Sequence, residues 1–147
     1  MSNMMIPFST TLLVRDTCLC LHAQRVARAL ARRFDTALKP VGLTNGQFSL
    51  LMSLNRPEPP PMGPVASLLA MDRTTLTAAL KPLEKRGLLS IEADPKDKRG
   101  KRLRLTDRGL ALLASALPIW TQTHAEVEAQ IESGDAERLR QDLVSLG

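Results

Sequence analysis

The sequence predicts a mainly α fold with one small β-hairpin. Three observations carry that prediction. Leu and Ala supply most of the apolar mass, while aromatics are scarce, with three Phe, one Trp and no Tyr; this balance favours helix over sheet. Apolar residues recur at spacings of three and four along most of the chain. Only between Gly87 and Thr106 does the period fall to two, the repeat of a strand with one buried face.

The elements follow in order. Over residues 16–39, Leu19, Ala23, Val26, Leu30, Phe34 and Leu38 form one apolar stripe, so a single helix is expected there. Asp16 or Thr17 is its expected cap, and Pro40 followed by Gly42 its stop. A second helix starts at Thr44, a good N-cap, runs through Phe48, Leu51 and Met52, and ends before Arg56-Pro57. PEPPPMGP, residues 57–64, is rich in proline and reads as a stiff connector. Pro64 suits the first turn of a short third helix over residues 64–70. Met71-Asp72 is a tight turn. Asp72 then caps a fourth helix running to about Arg86, with Gly87 as its stop. Two helices joined by so few residues form a helix-turn-helix.

After Gly87, Leu89, Ile91 and Ala93 alternate with Ser90 and Glu92. Later Leu103 and Leu105 alternate with Arg102 and Arg104. These are two short strands, and DPKDKRGKR, residues 94–102, is the hairpin loop between them, with Pro95 and Gly100 as its turn residues. Thr106 caps a long helix through Leu110, Leu113 and Leu117 to about Ile131, bent by Pro118. Gly134 breaks it, and a last helix from Asp135 sets Ala136, Leu139, Leu143 and Leu146 on one side. The middle of the chain is therefore a winged helix-turn-helix. Three segments are expected: residues 1–43 as an N-terminal helical dimerisation segment, 44–105 as the winged DNA-binding domain, and 106–147 as a C-terminal helical dimerisation segment.

Size and charge agree with that outline. The chain has 147 residues, 44% hydrophobic and 24% charged, as a single globular domain with helical extensions would. The formal net charge of +5 is unevenly spread: +4 over residues 1–60, +5 over 61–110 and −4 over 111–147. A basic middle points to a localised anion-binding surface, with nucleic acid the usual partner. In a winged helix-turn-helix the second helix of the pair enters the DNA major groove. Leu76, Ala79, Leu80 and Leu83 share its core stripe. Arg73, Thr74, Thr75, Thr77, Ala78, Lys81 and Lys85 remain for the other faces, and the N-terminal turn offers free N–H groups and a positive dipole end to phosphate. Thr hydroxyls can meet phosphates or bases, and Thr methyls can meet thymine methyls. The bland alternatives are that these Thr merely tolerate a helix start and that the hairpin cations are only solvated.

By this point ASLLAMDRTTLTAALKPLEKRGLL followed by DPKDKRGKRLRLTDRG resembles the MarR family of bacterial transcription regulators. The most specific part is the run Asp94-Pro95, Asp97-x-Arg99, Leu105-Thr106 and Gly109. The resemblance implies a MarR-like homodimer on double-stranded DNA. The terminal helices pair, and a pseudo-palindromic operator is bound, usually as a repressor relieved by a small ligand or by oxidation. It also implies that Arg99 reaches into the minor groove and that Asp97 pairs with it and stiffens the wing, with Lys98 and Lys101 on phosphates. A narrow minor groove concentrates negative potential and attracts Arg.

Cys18 and Cys20 lie two apart on the expected first helix, so they point roughly 200° apart and cannot bridge without unwinding the turn. The segment around Cys20 is similar to that of the organic-hydroperoxide-sensing branch of the family, which activates its thiol with tyrosines; this chain has none. His22 and Arg25 can lower a thiol pKa. The competing reading of Cys20 is a small buried hydrophobe. Arg25, Arg28 and Arg32 form one stripe that would suit an anionic aromatic effector, or that is solvated or pairs with the acidic C-terminal segment.

Other classes fall away. The chain holds no G-x-S-x-G and no G-x-x-x-x-G-K-[ST], and neither His22 nor His124 has a ligand partner at metal-like spacing, so neither an enzyme nor a metal or other cofactor is expected. MSNMMIPF lacks the cationic start of a signal peptide, and no apolar run approaches the roughly 20 residues of a membrane span. Two Cys in such a chain read as reduced cytosolic thiols, so the protein is expected in the cytoplasm and off the membrane. The alternatives of the same fold are a thiol-based oxidation sensor using Cys20 and a non-specific nucleic-acid-binding protein.

Overall fold

The structure, a computed structural model, describes residues 5–147. It divides into two compact units, one ending at Arg33 and the other spanning Phe34–Gly147.

The first unit holds α1 (Phe8–Thr17) and most of α2 (Leu19–Leu38). The single helix expected over residues 16–39 is instead the end of α1, a break, and α2. Cys18 is the break, with extended backbone at φ −67° and ψ 110°. Asp16 and Thr17 close α1 rather than cap α2, and the Thr17 hydroxyl donates to Leu13 O at 2.6 Å. Cys18 starts α2: its Sγ accepts the Leu21 N–H at 3.4 Å, and its carbonyl accepts the His22 N–H at 3.1 Å. Asp, Thr and Cys are weak helix formers, and their side chains compete for nearby backbone groups, so the helix yields there. α1 was invisible to periodicity because Ser9, Thr10 and Thr11 interrupt its first turns. No residue of α1 is buried, and Phe8, Leu13 and Val14 stand exposed.

In the second unit, the last turn of α2 buries Leu38, and a 3₁₀ turn at Lys39–Val41 ends in left-handed Gly42. The Asp35 carboxylate accepts both the Asn45 amide N–H (2.7 Å) and its side-chain NH₂ (2.8 Å), fixing the start of α3 (Asn45–Ser53). Thr44 caps α3 as expected, in a reciprocal box with Gln47. Next comes α4 (Met62–Leu68), which starts and stops two residues before the expected bounds, with Pro64 in its first turn. Ala70 then takes φ +54°, a left-handed cap usually filled by glycine, and the Met71 N–H returns to Ala66 O at 2.9 Å. Asp72 accepts the Thr75 N–H at 2.7 Å and opens α5 (Arg73–Lys85). The core gathers Leu38, Leu43, Phe48, Leu50, Leu51 and Leu54 with Val65, Leu76, Leu80, Leu83, Leu89, Leu103 and Leu113.

Strands β1 (Leu89–Asp94) and β2 (Asp97–Leu105) form an antiparallel hairpin. The register runs from Leu89 opposite Leu105 to Ala93 opposite Lys101, then jumps to Asp94 opposite Asp97. The stretch expected as a loop is therefore mostly strand. Pro95-Lys96 alone makes the turn, and Gly100 lies inside β2. The proline connector is more than a spacer. Pro60 O accepts the Leu103 N–H at 2.9 Å, and Pro61 bridges Arg102, so the connector runs along β2.

Helix α6 (Asp107–Ala129) continues through Pro118 and stops two residues before the expected end. Of its expected stripe only Leu113 is buried; Leu110 and Leu117 are 48% and 45% exposed. After Gly134, Asp135 caps α7 (Ala136–Leu146), none of whose residues is buried. Among the described residues no helix is long and apolar enough to cross a membrane.

One junction explains the run Leu105-Thr106 and Gly109. The Thr106 hydroxyl donates to Gly87 O at 2.7 Å and accepts the Gly109 N–H at 3.0 Å. This locks the start of α6 onto the turn after α5, and Gly109 lies directly against the Leu88 carbonyl, with no room for a Cβ. Gly109→Ala should lower the unfolding free energy by about 3 kcal/mol in urea denaturation. Gly46→Ala, in α3 where a Cβ meets open space, should leave it unchanged or raise it by up to about 1 kcal/mol.

Candidate nucleic-acid interface

The buried face of α5 decides what its other face offers. Leu76, Leu80 and Leu83 are fully buried, so Arg73, Thr74, Thr75, Thr77, Lys81 and Lys85 all stand exposed on the remaining turns. Asp72 occupies the end of the helix where an incoming phosphate would meet free amides. Its carboxylate takes the Thr75 N–H, and that hydrogen bond holds it below the usual carboxylate range. The Thr77 hydroxyl donates to Arg73 O at 2.8 Å, which spends its one proton inside the helix.

The wing presents its charge through a bulge. Between the pairs Ala93–Lys101 and Asp94–Asp97, β1 has no residue to spare while β2 has three, Lys98, Arg99 and Gly100. These three lack ladder partners, and Lys98, Arg99 and Lys101 are exposed. Asp97 Oδ1 accepts the Arg99 backbone N–H at 3.0 Å. The contact is thus to the backbone of Arg99, where the family resemblance implied the guanidinium. The other acid, Asp94, accepts the Lys96 N–H at 2.9 Å and lies 3.1 Å from Arg102 Nε. The Lys96 hydrogen bond first, then the Arg102 guanidinium, holds Asp94 below the usual range.

The cations of the hairpin therefore divide. Arg102 pairs with Asp94, and Arg104 Nε pairs with Glu92 Oε1 at 2.7 Å. Lys96, Lys98, Arg99 and Lys101 have no ion-pair partner among the described residues. Residue counting alone did not separate the two groups, because the separation depends on strand register.

Two concavities bear on an effector. In the first unit, His22, Arg25, Val26, Arg28, Ala29 and Arg32 line an open groove of about 600 Å³ on α2. Cys20 is exposed, with the Gln24 side-chain amide donating to its Sγ at 3.2 Å; Cys18 is half-buried. Both thiols are free, and Cys18 stands at the break between α1 and α2. In the second unit, Phe34, Phe48, Trp120 and His124 are among the residues around a smaller cavity of about 210 Å³. Trp120 stacks on Phe48 (6.2 Å, 16°) and on His124 (4.6 Å, 13°), and His124 Nδ1 lies 3.0 Å from Glu128 Oε1. Trp120 and His124 both belong to this stack. Their spacing of four on one helix was the available signal for a stack. Among the described residues no cluster of His, Cys, Asp and Glu could hold a metal ion.

The carboxylates also set a pH dependence. Asp35, like Asp72 and Asp94, is held below the usual range, chiefly by the Asn45 backbone amide. A depressed folded value means that the stabilisation is present above the unfolded value and is lost as pH falls through the folded one. Thermal stability should hold from neutral pH down to about 5 and drop through the carboxylate range near 4. Asp72→Asn, which keeps the cap but not the charge, should flatten that drop in melts recorded against pH.

The fold and interface have clear counterparts. The MarR family model matches residues 43–101. The M. tuberculosis transcriptional regulator MosR, solved in complex with DNA, is 38% identical with a TM-score of 0.81, over 88% of this chain and 93% of that one. The transcriptional repressor CouR, from Rhodococcus jostii RHA1 and bound to a 23-mer DNA duplex, is 28% identical with a TM-score of 0.80, over 90% and 94%. PcaV of Streptomyces coelicolor, solved with its natural ligand, is 25% identical with a TM-score of 0.77, over 88% and 91%. With its family match inside the winged segment and its likeness to MosR running nearly end to end, the chain belongs to the MarR family of transcriptional regulators, whose members bind DNA and are not enzymes.

Proposed function

We propose that this regulator binds a pseudo-palindromic operator as a homodimer, represses from it, and leaves it when a small ligand binds. The observation that carries the DNA reading is the pairing of two exposed basic features in one unit: the outward face of α5 and the Lys98–Gly100 bulge, with Arg99 having no ion-pair partner among the described residues. In this reading α5 lies in the major groove, with Arg73, Thr74, Thr75 and Thr77 near bases and phosphates and Lys81 on the backbone. Arg99 enters the minor groove, Lys98 and Lys101 meet phosphates, and Asp97 braces the bulge through the Arg99 amide. The DNA complexes of MosR and CouR support this assignment.

Dimerisation is assigned to the terminal segments, residues 1–43 and 106–147. Leu13 and Val14 on α1 and, separately, Leu139 and Leu143 on α7 are exposed there, and large apolar side chains left to water on a helix mark protein contacts. The effector is assigned to the α2 groove, where His22, Arg25, Arg28 and Arg32 favour an anion and Val26 and Ala29 favour an apolar ring. The thiol alternative is favoured by the exposure of Cys20 beside a helix break. These functions belong in the cytoplasm, where the DNA is.

Fluorescence anisotropy on a fragment selected from genomic DNA should show binding roughly 10³-fold tighter than to random duplex. Equal affinity for both would make the protein a non-specific binder. Arg99→Ala should weaken selected-fragment binding about tenfold or more. Lys98→Ala should instead weaken both DNAs alike and reduce the salt slope by about one.

Peroxide titration separates the two release mechanisms. If a ligand alone releases DNA, wild type and Cys20→Ser should keep equal affinity throughout. Release in wild type that is absent in Cys20→Ser would establish the thiol sensor.

A further inference from the structure

We propose that Arg102 is a positioning residue for DNA recognition: by tying the proline connector to the end of β1, it sets the base from which the bulge presents Arg99. The inference rests on the DNA-binding reading above and assigns Arg102 a role that its charge alone would not suggest.

The bulge cannot orient itself. Lys98, Arg99 and Gly100 have no partners on β1, so their direction is fixed by what flanks them. On one side stands the Pro95-Lys96 turn, closed by Asp94 and Asp97 through the Lys96 and Arg99 amides. On the other side stands Arg102, whose side chain is only 20% exposed. Its Nη1 donates to Pro59 O at 2.9 Å. Its Nε, closed off from solvent, lies 3.1 Å from Asp94 Oδ1, off the line of a directed hydrogen bond, so that contact is an ion pair. One guanidinium thus joins three segments: connector, β1 and β2.

The chemistry of those segments makes the link hard to replace. Prolines have no N–H to give, so the connector can pair with β2 only by accepting hydrogen bonds. The Leu103 N–H to Pro60 O and Arg102 Nη1 to Pro59 O supply the donors. Asp94 is only 11% exposed, and losing Arg102 would leave its carboxylate enclosed without its cation. The bulge also folds close over this pair, since a Cβ on Gly100 would meet Asp94 Cβ at 3.4 Å and Asp97 O at 3.5 Å. Asp94 and Gly100 are thus close neighbours, and Gly100 adjoins Arg99 in the chain. Lysine is a poor substitute because a point charge cannot hold the Pro59 carbonyl and Asp94 in a planar fork.

The test uses the full-length protein in two arms. Without DNA, amide hydrogen exchange should be several-fold faster at residues 96–101 in Arg102→Met than in wild type, while α5 keeps its protection. With DNA, a double-mutant cycle is read on the genomically selected fragment. Arg99→Ala should cost about tenfold or more in the wild-type background and less than about threefold in the Arg102→Met background. Lys81→Ala should cost the same factor in both. Arg102→Lys should fall between wild type and Arg102→Met in both arms. Should Arg102→Met fail to fold, Asp94→Asn carries the same cycle. Unchanged exchange at the tip, or an Arg99→Ala factor equal in both backgrounds, overturns the inference. If the tip loosens but wild type binds selected and random DNA alike, the regulator reading fails and takes the recognition role of Arg102 with it.

Discussion

The burial of Leu76, Leu80 and Leu83 is the constraint on which the rest of the interface depends. Each contributes about 2 kcal/mol by leaving water, and at spacings of four and three they turn one stripe of α5 to the core. A helix pinned along one stripe has no choice about the opposite one. Arg73, Thr74, Thr77 and Lys81 point outward because the leucines cannot. Val65 in α4 and Leu89 and Leu103 in the hairpin share the same core. The pair of helices and the wing are thus registered against each other by apolar packing as well as by the polar links of Thr106 and Arg102.

The wing is the weaker partner in that arrangement. A two-stranded hairpin alone is marginally stable in water, and here the third rail is a run of prolines that can only accept hydrogen bonds. The structure compensates at both ends. At the open end Thr106 clamps the turn after α5, and Gly109 lets α6 approach the Leu88 carbonyl. At the tip two carboxylates take backbone amides within two residues of themselves, a local motif that stiffens a turn without long-range contacts. The acids interleaved among cations therefore serve the backbone first. Only Asp94 also neutralises a cation, and that cation points at the connector.

What was legible in the sequence follows from how far each determinant reaches along the chain. Thr44, Asp72 and Thr106 were each readable as caps, because a cap acts over three residues. The α5 faces were readable because helical period is local. The Cys18 break was hidden because Asp16 and Thr17, ordinary N-cap residues, sit just ahead of the apolar stripe that starts at Leu19. α1 was hidden because its threonines and serine mask the period. The hairpin register needed the pairing of residues up to 16 apart in sequence, Leu89 with Leu105. Pro95 and Gly100 looked alike as turn formers, yet only Pro95 sits in the turn. The division of the wing cations depended on that same register, so it too was out of reach.

The ends of the chain pose a different physical problem. Helices α1 and α7 bury nothing in this chain, and Phe8, Val14, Leu139 and Leu143 are between 43% and 71% exposed. Fixing the backbone of a helix costs about 1–2 kcal/mol per residue, and isolated helices of 10 and 11 residues are marginal in water. The ion pairs of α7, Arg138 with Asp142 and Arg140 with Glu137 and Glu128, are exposed surface pairs that water screens. They cannot carry that cost. The exposed leucines can, once a second apolar surface covers them. This makes the proposed homodimer a folding requirement of the terminal helices as well as a way to place two wings on one operator.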